Sequence, residues 1–435
     1  MRRVHVKALT LLGALGFWCG CSAPVKRVPA SDATSFTVVL LPDTQYYSKQ
    51  LPEAFQRQTQ WIEDHASELN IKMVLGLGDV VDNGSLPAQW NNAMKALQVL
   101  HDGPVPFFLA IGNHDYKAAT PKTRDATQFN AHLGPAYYKD QATYGESMDG
   151  GNENFFGTVH AGERDYLVLT LEFSPRDSVL KWASHVVESH PDQDVIVIMH
   201  SYLFTDNTRM SACARYSKAL YGLSQDNDGE EIWDKFASKY PNIKLVLNGH
   251  IPQGGTGRRF DLGENGNLVN EILSDYQNEP NAGNGWLRLM TFYPDQNRID
   301  VKTYSPYLDA HPAFKTSAWK KDPANQFSIE YSNPALAAFK SATIRGFVRS
   351  GKTSSLCAGI AGATVRFPGG TATTDAQGRF TAVVKDLPAE PALAYRAVTL
   401  TVEKKGWATR EYRVTVRDGA ENAEQVLLAP ESGHP

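Results

Sequence analysis

Five short apolar segments of the chain each end in residues that can bind a metal ion or move a proton. The segments are LLPDTQ with Asp43 and Gln45, LGLGDVVD with Asp79 and Asp82, LAIGNHD with Asn113, His114 and Asp115, VIMH with His200, and VLNGH with His250. Ligands of open α/β sheets bind at the carboxyl ends of the strands, so these side chains can converge on one site. Oxygen donors mixed with imidazole suit two divalent ions such as Mn, Fe or Zn.

Each of these segments has an ordinary structural explanation when it is taken alone. An aspartate after a strand usually forms a turn, GNHD can be a polar loop, and one histidine after an apolar run is more often structural. The order of the whole set is much more specific. It resembles the calcineurin-like metallophosphoesterases, whose pattern is D-x-H, GD-x-x-D, GNH-D/E, a lone His and then GH-x-H. The resemblance covers about Ser35 to Tyr304.

The resemblance implies a ligand set for two metal positions. Asp79 would bridge the two ions, and one position is complete with Asp79, Asn113, His200 and His250. The other position would use Asp43 and Asp79, but Gln45 and Pro252 stand where the family has its first and last histidines. We therefore expect oxygen ligands, weaker binding and a preference for Mn or Mg over Zn at this position, with Gln253 able to reach inward. An enzyme with a single metal ion remains an alternative.

The family chemistry also implies roles for the remaining polar residues. Two ions lower the pKa of a bridging water and neutralise phosphoryl oxygens, while His114 donates a proton to the leaving oxygen or stabilises the transition state. Asp82 and Asp115 are expected to orient the histidine ligands, although Asp82 is equally well explained as a helix N-cap. Arg209 is a candidate to bind substrate phosphate, or else a solvated loop arginine. Asp275, Tyr276 and Gln277 follow a strand near the same edge and could line the pocket.

The rest of the pattern predicts an α/β domain over residues 35–333, with a layered β-sandwich core flanked by helices. Residues 117–155 are polar and rich in glycine, tyrosine and asparagine, which predicts a long loop over one edge of the sheet. The predicted strands are Phe36 to Leu41, Lys72 to Leu77, Pro106 to Ile111, Tyr166 to Leu171, Val195 to Met199 and Lys244 to Asn248. The predicted helices are Gln50 to Leu69, Pro87 to Leu100, Val179 to Val187 and Glu230 to Phe236.

Short alternating runs separated by turn signals predict a second, all-β sandwich domain over residues 342–430. The series resembles the carboxypeptidase regulatory-like domain in its glycine-bounded first strand, its GATV strand (Gly362 to Val365) and its TDAQGRF hairpin (Thr374 to Phe380). This resemblance concerns the fold and says almost nothing about function. Cys213 and Cys357 lie in different predicted domains, so we do not expect them to form a disulfide.

Residues 1–21 have the outline of an export signal, because Arg2, Arg3 and Lys7 precede the apolar run from Ala8 to Trp18. The sequence around Cys21 resembles the cleavage point of a bacterial lipoprotein, which predicts a lipid-bearing cysteine and a membrane-anchored protein facing the periplasm or the cell exterior. Ordinary cleavage after Ala23 is the competing prediction.

The charge of the exported protein argues against a nucleic-acid clamp. Removal of residues 1–20 takes away three positive charges and no acid, so the formal net charge changes from −4 to −7. Non-specific binding of a polyanion needs a basic surface, which this composition does not supply.

The sequence therefore predicts a metal-dependent hydrolase of phosphate monoesters or diesters. Two alternatives are a protein that keeps the fold and binds metal or phosphate without turnover, and a surface-binding protein whose C-terminal domain is the functional part. The intact GNHD segment with His114 favours the enzyme. The preferred ester and the oligomeric state are not determined by the sequence.

Overall fold

The computed structural model describes residues 34–118, 123–211, 213, 214, 216, 221–223, 226–336, 338–351, 357–388 and 392–431. The predicted export signal and the lipid attachment site at Cys21 lie outside the described residues. None of the helices in these ranges is both long and apolar enough to span a membrane.

The helices of the chain are α1 (Gln45–Gln50), α2 (Pro52–Asp64), α3 (Pro87–Asp102), α4 (Thr127–Leu133), α5 (Pro135–Tyr138), α6 (Asp177–Glu188), α7 (Gly229–Ile232), α8 (Pro280–Gly283) and α9 (Pro306–Ala310). A π-helical turn, Trp233–Ala237, continues α7.

The strands are β1 (Phe36–Leu41), β2 (Ile71–Gly76), β3 (Phe107–Leu109), β4 (Tyr144–Ser147), β5 (Phe155–Ala161), β6 (Arg164–Thr170), β7 (Asp194–Ile198), β8 (Ile243–Asn248), β9 (Thr256–Leu262), β10 (Leu268–Ser274), β11 (Leu287–Tyr293), β12 (Arg298–Tyr304), β13 (Trp319–Lys320), β14 (Phe327–Glu330), β15 (Ser341–Ser350), β16 (Thr364–Phe367), β17 (Gly370–Thr373), β18 (Arg379–Lys385), β19 (Tyr395–Lys404), β20 (Trp407–Arg417) and β21 (Glu421–Leu428).

Two mixed sheets form the core of the first part of the chain. One has the order β13-β12-β11-β1-β2-β3 with β14 paired to β12, and the other has the order β4-β5-β6-β7-β8-β10-β9. The central strands β1, β2 and β3 are parallel to one another, as are β6, β7, β8 and β10. The carboxyl ends of each parallel set therefore lie along one edge of its sheet, which is where the candidate ligands follow.

Strand β7 illustrates why the buried strands appear in the sequence as continuous apolar runs. Ile196 and Ile198 join the apolar cluster that includes Val38 and Leu40 of β1, so the two sheets share one core. Val195 and Val197 point the other way, into a second cluster that includes Val179 of α6. Both faces of the strand are covered, and an alternating polar pattern is absent because neither face meets water.

The predicted loop over residues 117–155 is wrong for much of its length. The described part of this segment contains α4, α5 and β4, and β4 extends the second sheet by pairing with β5. Its aromatic residues account for the difference, because Tyr138 packs against Phe107 and Phe155 in the core. Burial of aromatic side chains stabilises these short elements, although the polar residues around them made the segment resemble a loop in the sequence.

The C-terminal β region, residues 341–428, contains two further sheets, with the orders β18-β15-β21 and β17-β16-β19-β20. Both sheets contribute to one apolar cluster, for example through Ile344 of β15 and Leu400 of β19. The expectation about the cysteines is wrong: a disulfide joins Cys213 to Cys357, whose Cα atoms are 5.1 Å apart. The two residues are 144 positions apart in the chain, so only the packing of this region against the rest brings them together.

Candidate metal centre

Three of the predicted ligands, each following a different strand, lie together in a buried cluster. The Nε2 atom of His200 lies 3.0 Å from Oδ2 of Asp79 and 4.0 Å from Oδ2 of Asp43. One ligand atom from each of the three residues lies within 4.8 Å of the others. The exposed fractions are 2% for Asp43, 1% for Asp79 and 0% for His200, so water does not compensate these charges.

Two glycines permit the loops that carry the ligands to approach this closely. A Cβ atom on Gly112 would lie 2.1 Å from Oδ1 of Asp79, and one on Gly249 would lie 2.0 Å from Oδ1 of Asp43. Asp79 and His250 themselves have φ angles of 51° and 77°, in the left-handed region that non-glycine residues seldom occupy. Such strained backbone persists where the surrounding structure fixes it, and it is concentrated at functional sites.

The two predicted histidine ligands are oriented through opposite ring nitrogens. Nδ1 of His200 lies 2.8 Å from the carbonyl oxygen of Leu77, and a hydrogen bond to that carbonyl leaves Nε2 facing the carboxylates. Nε2 of His250 lies 3.3 Å from the carbonyl oxygen of Tyr216 and 3.2 Å from the hydroxyl of Tyr221, which leaves Nδ1 as the ring nitrogen available to a metal ion. A carbonyl partner for the second ring nitrogen is typical of histidines that bind metal ions.

Neighbouring charges in the cluster shift one another's pKa values strongly. Burial alone would raise the pKa of Asp79, but the neighbouring His200 and His114 lower it to about 2. Burial would lower the pKa of His200, whereas Asp79 and Asp43 raise it to about 10. Burial and then the charge of His200 lower the pKa of His250 to about 3. Asp79 and His200 thus form a buried ion pair, and His250 stays neutral, the form in which an imidazole binds metal.

Asn113 and His114 bring the GNHD segment to the same carboxylate. Asn113 is 2% exposed, and the backbone N–H of His114 donates a hydrogen bond of 2.9 Å to Oδ1 of Asp79. The His114 ring is held by the contact of its Nδ1 with the carbonyl oxygen of Asp82 at 2.7 Å. Because 29% of its side chain is exposed, the ring lies at the boundary between the buried cluster and solvent.

The position that has lost its histidines is lined by two amides. Nε2 of Gln45 donates a hydrogen bond of 3.0 Å to Oδ2 of Asp79 and a second hydrogen bond to Oε1 of Gln277. Gln277 follows β10, and its own backbone N–H donates to Oδ1 of Asp275 at 2.9 Å. Gln253 is exposed, so the expectation that it reaches inward is wrong. The sequence located Gln277 near this edge but did not identify its contact with Gln45.

The structure corrects the expectation for Asp115 and the explanation of Asp82 as a helix N-cap. Asp115 accepts hydrogen bonds from the backbone of Val81 and Gly112, so it joins two loops instead of orienting a histidine. Asp82 pairs with Lys49 at 2.7 Å and supports His114 through its carbonyl. It is not a helix N-cap, because α3 begins at Pro87 after the N-cap residue Leu86.

Arg209 is not in the cluster and is not a solvated arginine. It is 2% exposed, its guanidinium binds Glu271 and Asp261, and it stacks on the ring of Trp233 at 3.8 Å. The prediction that Arg209 binds substrate is therefore corrected, since its donors are occupied by buried carboxylates.

The comparisons with known proteins agree with this arrangement. The family model described as calcineurin-like phosphoesterase matches residues 36–254, half of the chain. The chain belongs to the calcineurin-like phosphoesterase family. It is also 30% identical over 296 residues to the uncharacterized protein YvnB of Bacillus subtilis (strain 168); this covers 67% of the chain but only 21% of YvnB.

Solved structures with a detectable likeness include two proteins of low sequence identity. The purple acid phosphatase PPD1 from yellow lupin (Lupinus luteus) is 13% identical with a TM-score of 0.42, covering 68% of this chain and 54% of that one. GAP50, the anchor in the inner membrane complex of Plasmodium, is 14% identical with a TM-score of 0.37, covering 69% of this chain and 89% of that one.

The residues present fit divalent metal ions. Oε1 of Gln45 is buried and, within the described residues, accepts no hydrogen bond. Burial, followed by the charge of Asp275, raises the pKa of Asp43 well above its usual range, so the site holds more buried carboxylates than its histidine compensates. A divalent cation would compensate the carboxylates and use the free carbonyl oxygen, and both donor types are common metal ligands.

Proposed function

We propose that this protein hydrolyses phosphate esters with divalent metal ions held by the buried cluster. The observation that carries the proposal is the convergence on Asp79. Its carboxylate is contacted by His200, by the backbone of His114 and by Gln45, and these residues follow three other strands. A buried carboxylate on which residues from three other strand ends converge is placed where two metal ions could share it.

The proposed ligands divide into two groups. Asp79, Asn113, Nε2 of His200 and Nδ1 of His250 would hold the first ion, and this set includes two imidazoles. Asp43, Asp79 and Gln45 would hold the second ion, with Gln277 adjacent to Gln45. Because the second group offers oxygen donors, we expect it to bind Mn or Mg in preference to Zn and more weakly than the first.

The residues of the chain suggest how an ester would be cleaved. Bound divalent ions supply a lowered pKa for water and neutralise phosphoryl oxygens. His114 lies at the solvent edge, where its ring can reach the leaving group of a substrate above Asp79. The contact of Nδ1 with the Asp82 carbonyl fixes the ring, so in the protonated form Nε2 carries the proton that is passed to the leaving oxygen.

A second candidate function is binding of metal or phosphate without turnover. The amide of Gln45, which already donates to Asp79, and Pro252 in place of a histidine are the observations that favour it. For the whole protein we further propose export with a lipid anchor at Cys21, and a carboxypeptidase regulatory-like sandwich in the C-terminal β region. These proposals are supported by the motifs at residues 1–21 and 342–430.

The test uses the chain from Ser22, stripped of metal and resupplied with Mn, Mg, Zn or Fe. Hydrolysis of bis(p-nitrophenyl) phosphate and p-nitrophenyl phosphate is measured for the wild type, Asp79→Asn, His114→Ala and the control His160→Ala. His160 is exposed and pairs only with Asp165 among the described residues, so its loss should not matter. We expect metal-dependent turnover that Asp79→Asn abolishes and that His114→Ala lowers by about 10²–10⁴-fold.

The outcomes separate the two candidate functions. Turnover that both site variants lose establishes the phosphoesterase, and the ratio of the two rates gives the preference for diesters or monoesters. Absence of turnover with every ion, together with metal binding that depends on Asp79, would favour the binding protein. Turnover that survives Asp79→Asn would contradict the proposed site.

A further inference from the structure

Two tyrosines that do not directly follow a strand, Tyr216 and Tyr221, contact the ring of His250. Tyr221 places its hydroxyl 3.2 Å from Nε2 of His250, and its ring packs edge-on against Phe173 at 4.9 Å. Phe173 also contacts the ring of His250 at 5.1 Å. Tyr216 contributes its backbone carbonyl to the same nitrogen at 3.3 Å. The ring of His250 is therefore held by an aromatic and polar cradle that none of the family motifs contains.

The backbone of this cradle is strained. Tyr216 has a φ angle of 66°, in the left-handed region, which is unfavourable for a bulky residue. Residues keep such a conformation when neighbouring contacts determine it.

The C-terminal β region supplies those contacts three to five residues before Tyr216. Cys213 is joined to Cys357 by the disulfide, and Gln425 of β21 donates a side-chain hydrogen bond to the hydroxyl of Ser211. Both Cys213 and Gln425 are buried, at 3% and 5% exposed, so the connection is not a loose surface contact.

Buried polar contacts also join β20 and β21 to the first part of the chain. Both carboxylate oxygens of Glu424 accept hydrogen bonds from Nη2 of Arg259, at 2.9 and 3.0 Å. Glu424 is 1% exposed and Arg259 is 4% exposed. The hydroxyl of Tyr412 adds a hydrogen bond of 3.1 Å to Glu230. A displacement of the C-terminal β region would break these interactions together.

We propose that Tyr221 is a positioning residue for His250, and that the C-terminal β region supports the same imidazole by holding the backbone near Tyr216 through the Cys213–Cys357 disulfide. Tyr221 acts through the imidazole, since its hydroxyl contacts His250 and its ring packs on Phe173. Its contact with Nε2 directs Nδ1 of His250 toward the ion, and the disulfide maintains the strained backbone at Tyr216. The C-terminal β region thus contributes to the affinity of the metal site. The proposal rests on the proposed function only in taking His250 as a metal ligand.

The test is a double-mutant cycle on metal affinity, which needs no turnover. Mn²⁺ is titrated calorimetrically into the metal-stripped chain from Ser22, as wild type, Tyr221→Phe, Cys213→Ser/Cys357→Ser and the combination of all three changes. Tyr240→Phe is the control, because the Tyr240 hydroxyl bonds Glu188 and Ser184, neither of which belongs to the proposed metal site. Loss of a residue that orients a metal ligand typically weakens metal binding by about 10–100-fold.

We expect about a tenfold or larger increase in Kd for Tyr221→Phe and for the double serine variant, with no change for Tyr240→Phe. The combined variant should bind little more weakly than either one, because both changes remove the same positioning and such effects are not additive. A purely stabilising disulfide predicts a lower melting temperature with an unchanged Kd, and that result would overturn the proposal.

Two outcomes keep the inference separate from the proposed function. If the protein binds Mn²⁺ with these dependences but hydrolyses neither ester, the proposed function fails and the positioning role stands. If the double serine variant does not fold, Tyr221→Phe decides alone, since it removes one hydroxyl oxygen and keeps the ring that packs on Phe173. A wild-type Kd for Tyr221→Phe would then refute the role of Tyr221.

Discussion

Replacement of Arg209 by methionine should destabilise the protein severely and leave substrate affinity unchanged. The guanidinium of Arg209 pairs with Glu271 and Asp261, and it lies 3.7 Å from Glu230. The same carboxylate of Asp261 also pairs with Arg259. Methionine keeps most of the volume and removes the charge. The variant therefore tests whether the buried cation is structural or is part of a phosphate site.

The expected loss of stability follows from the buried carboxylates that lose their arginine partner. Glu271 is 0% exposed, and without Arg209 its carboxylate and those of Asp261 and Glu230 would retain only Arg259 nearby. Breaking a buried ion pair by removing one partner costs about 3–5 kcal/mol. Loss of the stacking on Trp233 adds up to about 2 kcal/mol. Since domains are stable by about 5–15 kcal/mol, we expect the melting temperature to fall by on the order of 10 °C.

The assay combines thermal unfolding with the KM for whichever ester is hydrolysed. Arg366→Met is the matched control, because Arg366 pairs with Glu403 at 3.1 Å while its side chain is 58% exposed. An exposed pair contributes about 0–1 kcal/mol, so the control should unfold close to the wild type. A variant of Arg209 that unfolds with the control and shows a raised KM would refute this reasoning and restore the substrate-binding hypothesis.

Three further predictions concern the buried carboxylate of Glu271, the second metal position at Gln45 and the proposed lipid anchor at Cys21. Burial raises the pKa of Glu271 to about 7 although Arg209 lowers it, so its contribution to stability is complete below its unfolded pKa of about 4.5 and is lost as the pH rises through about 7. Urea unfolding at pH 5 and pH 8 should show the wild type losing up to about 3 kcal/mol relative to Glu271→Gln; a difference that is constant with pH would contradict this. Gln45→His, unlike the exposed control Gln60→His, should retain more Zn after dialysis because it adds an imidazole beside Asp79, and equal metal contents would refute the second position. Cys21→Ala should move the full chain from the membrane fraction to the soluble fraction, whereas an unchanged distribution would support cleavage after Ala23.

The strands were predictable because strands buried on both faces appear in the sequence as continuous apolar runs. The predicted range for β1 agrees with the structure at both ends. This strand has an apolar run whose length matches its burial. The segment of residues 117–155 contains no such run. Its elements are stabilised by scattered aromatic contacts, such as that of Tyr138 with Phe155, which no local period reveals.

The candidate site divides in the same way. Residues that directly follow parallel strands, such as Asp79 and His200, could be grouped from the sequence because the topology of the sheet determines where they lie. Tyr221 could not, since no described strand ends beside it, and for Gln277 the sequence indicated the edge of the sheet but not the contact with Gln45. Arg209 was misassigned because its partners Asp261 and Glu271 are 52 and 62 residues further along the chain.

The loss of histidines from one side of the site has a consequence for how the two ions would act. The imidazoles of His200 and His250 would both serve the first ion, while Gln45 would offer the second ion only an amide. Neutral amides add no charge and bind more weakly than imidazoles, so the second ion would depend on the carboxylate of Asp43 and on Asp79. Any displacement of His250 would then weaken the better of the two sites. This dependence makes the cradle of Tyr216 and Tyr221 more important here than it would be with both histidines present.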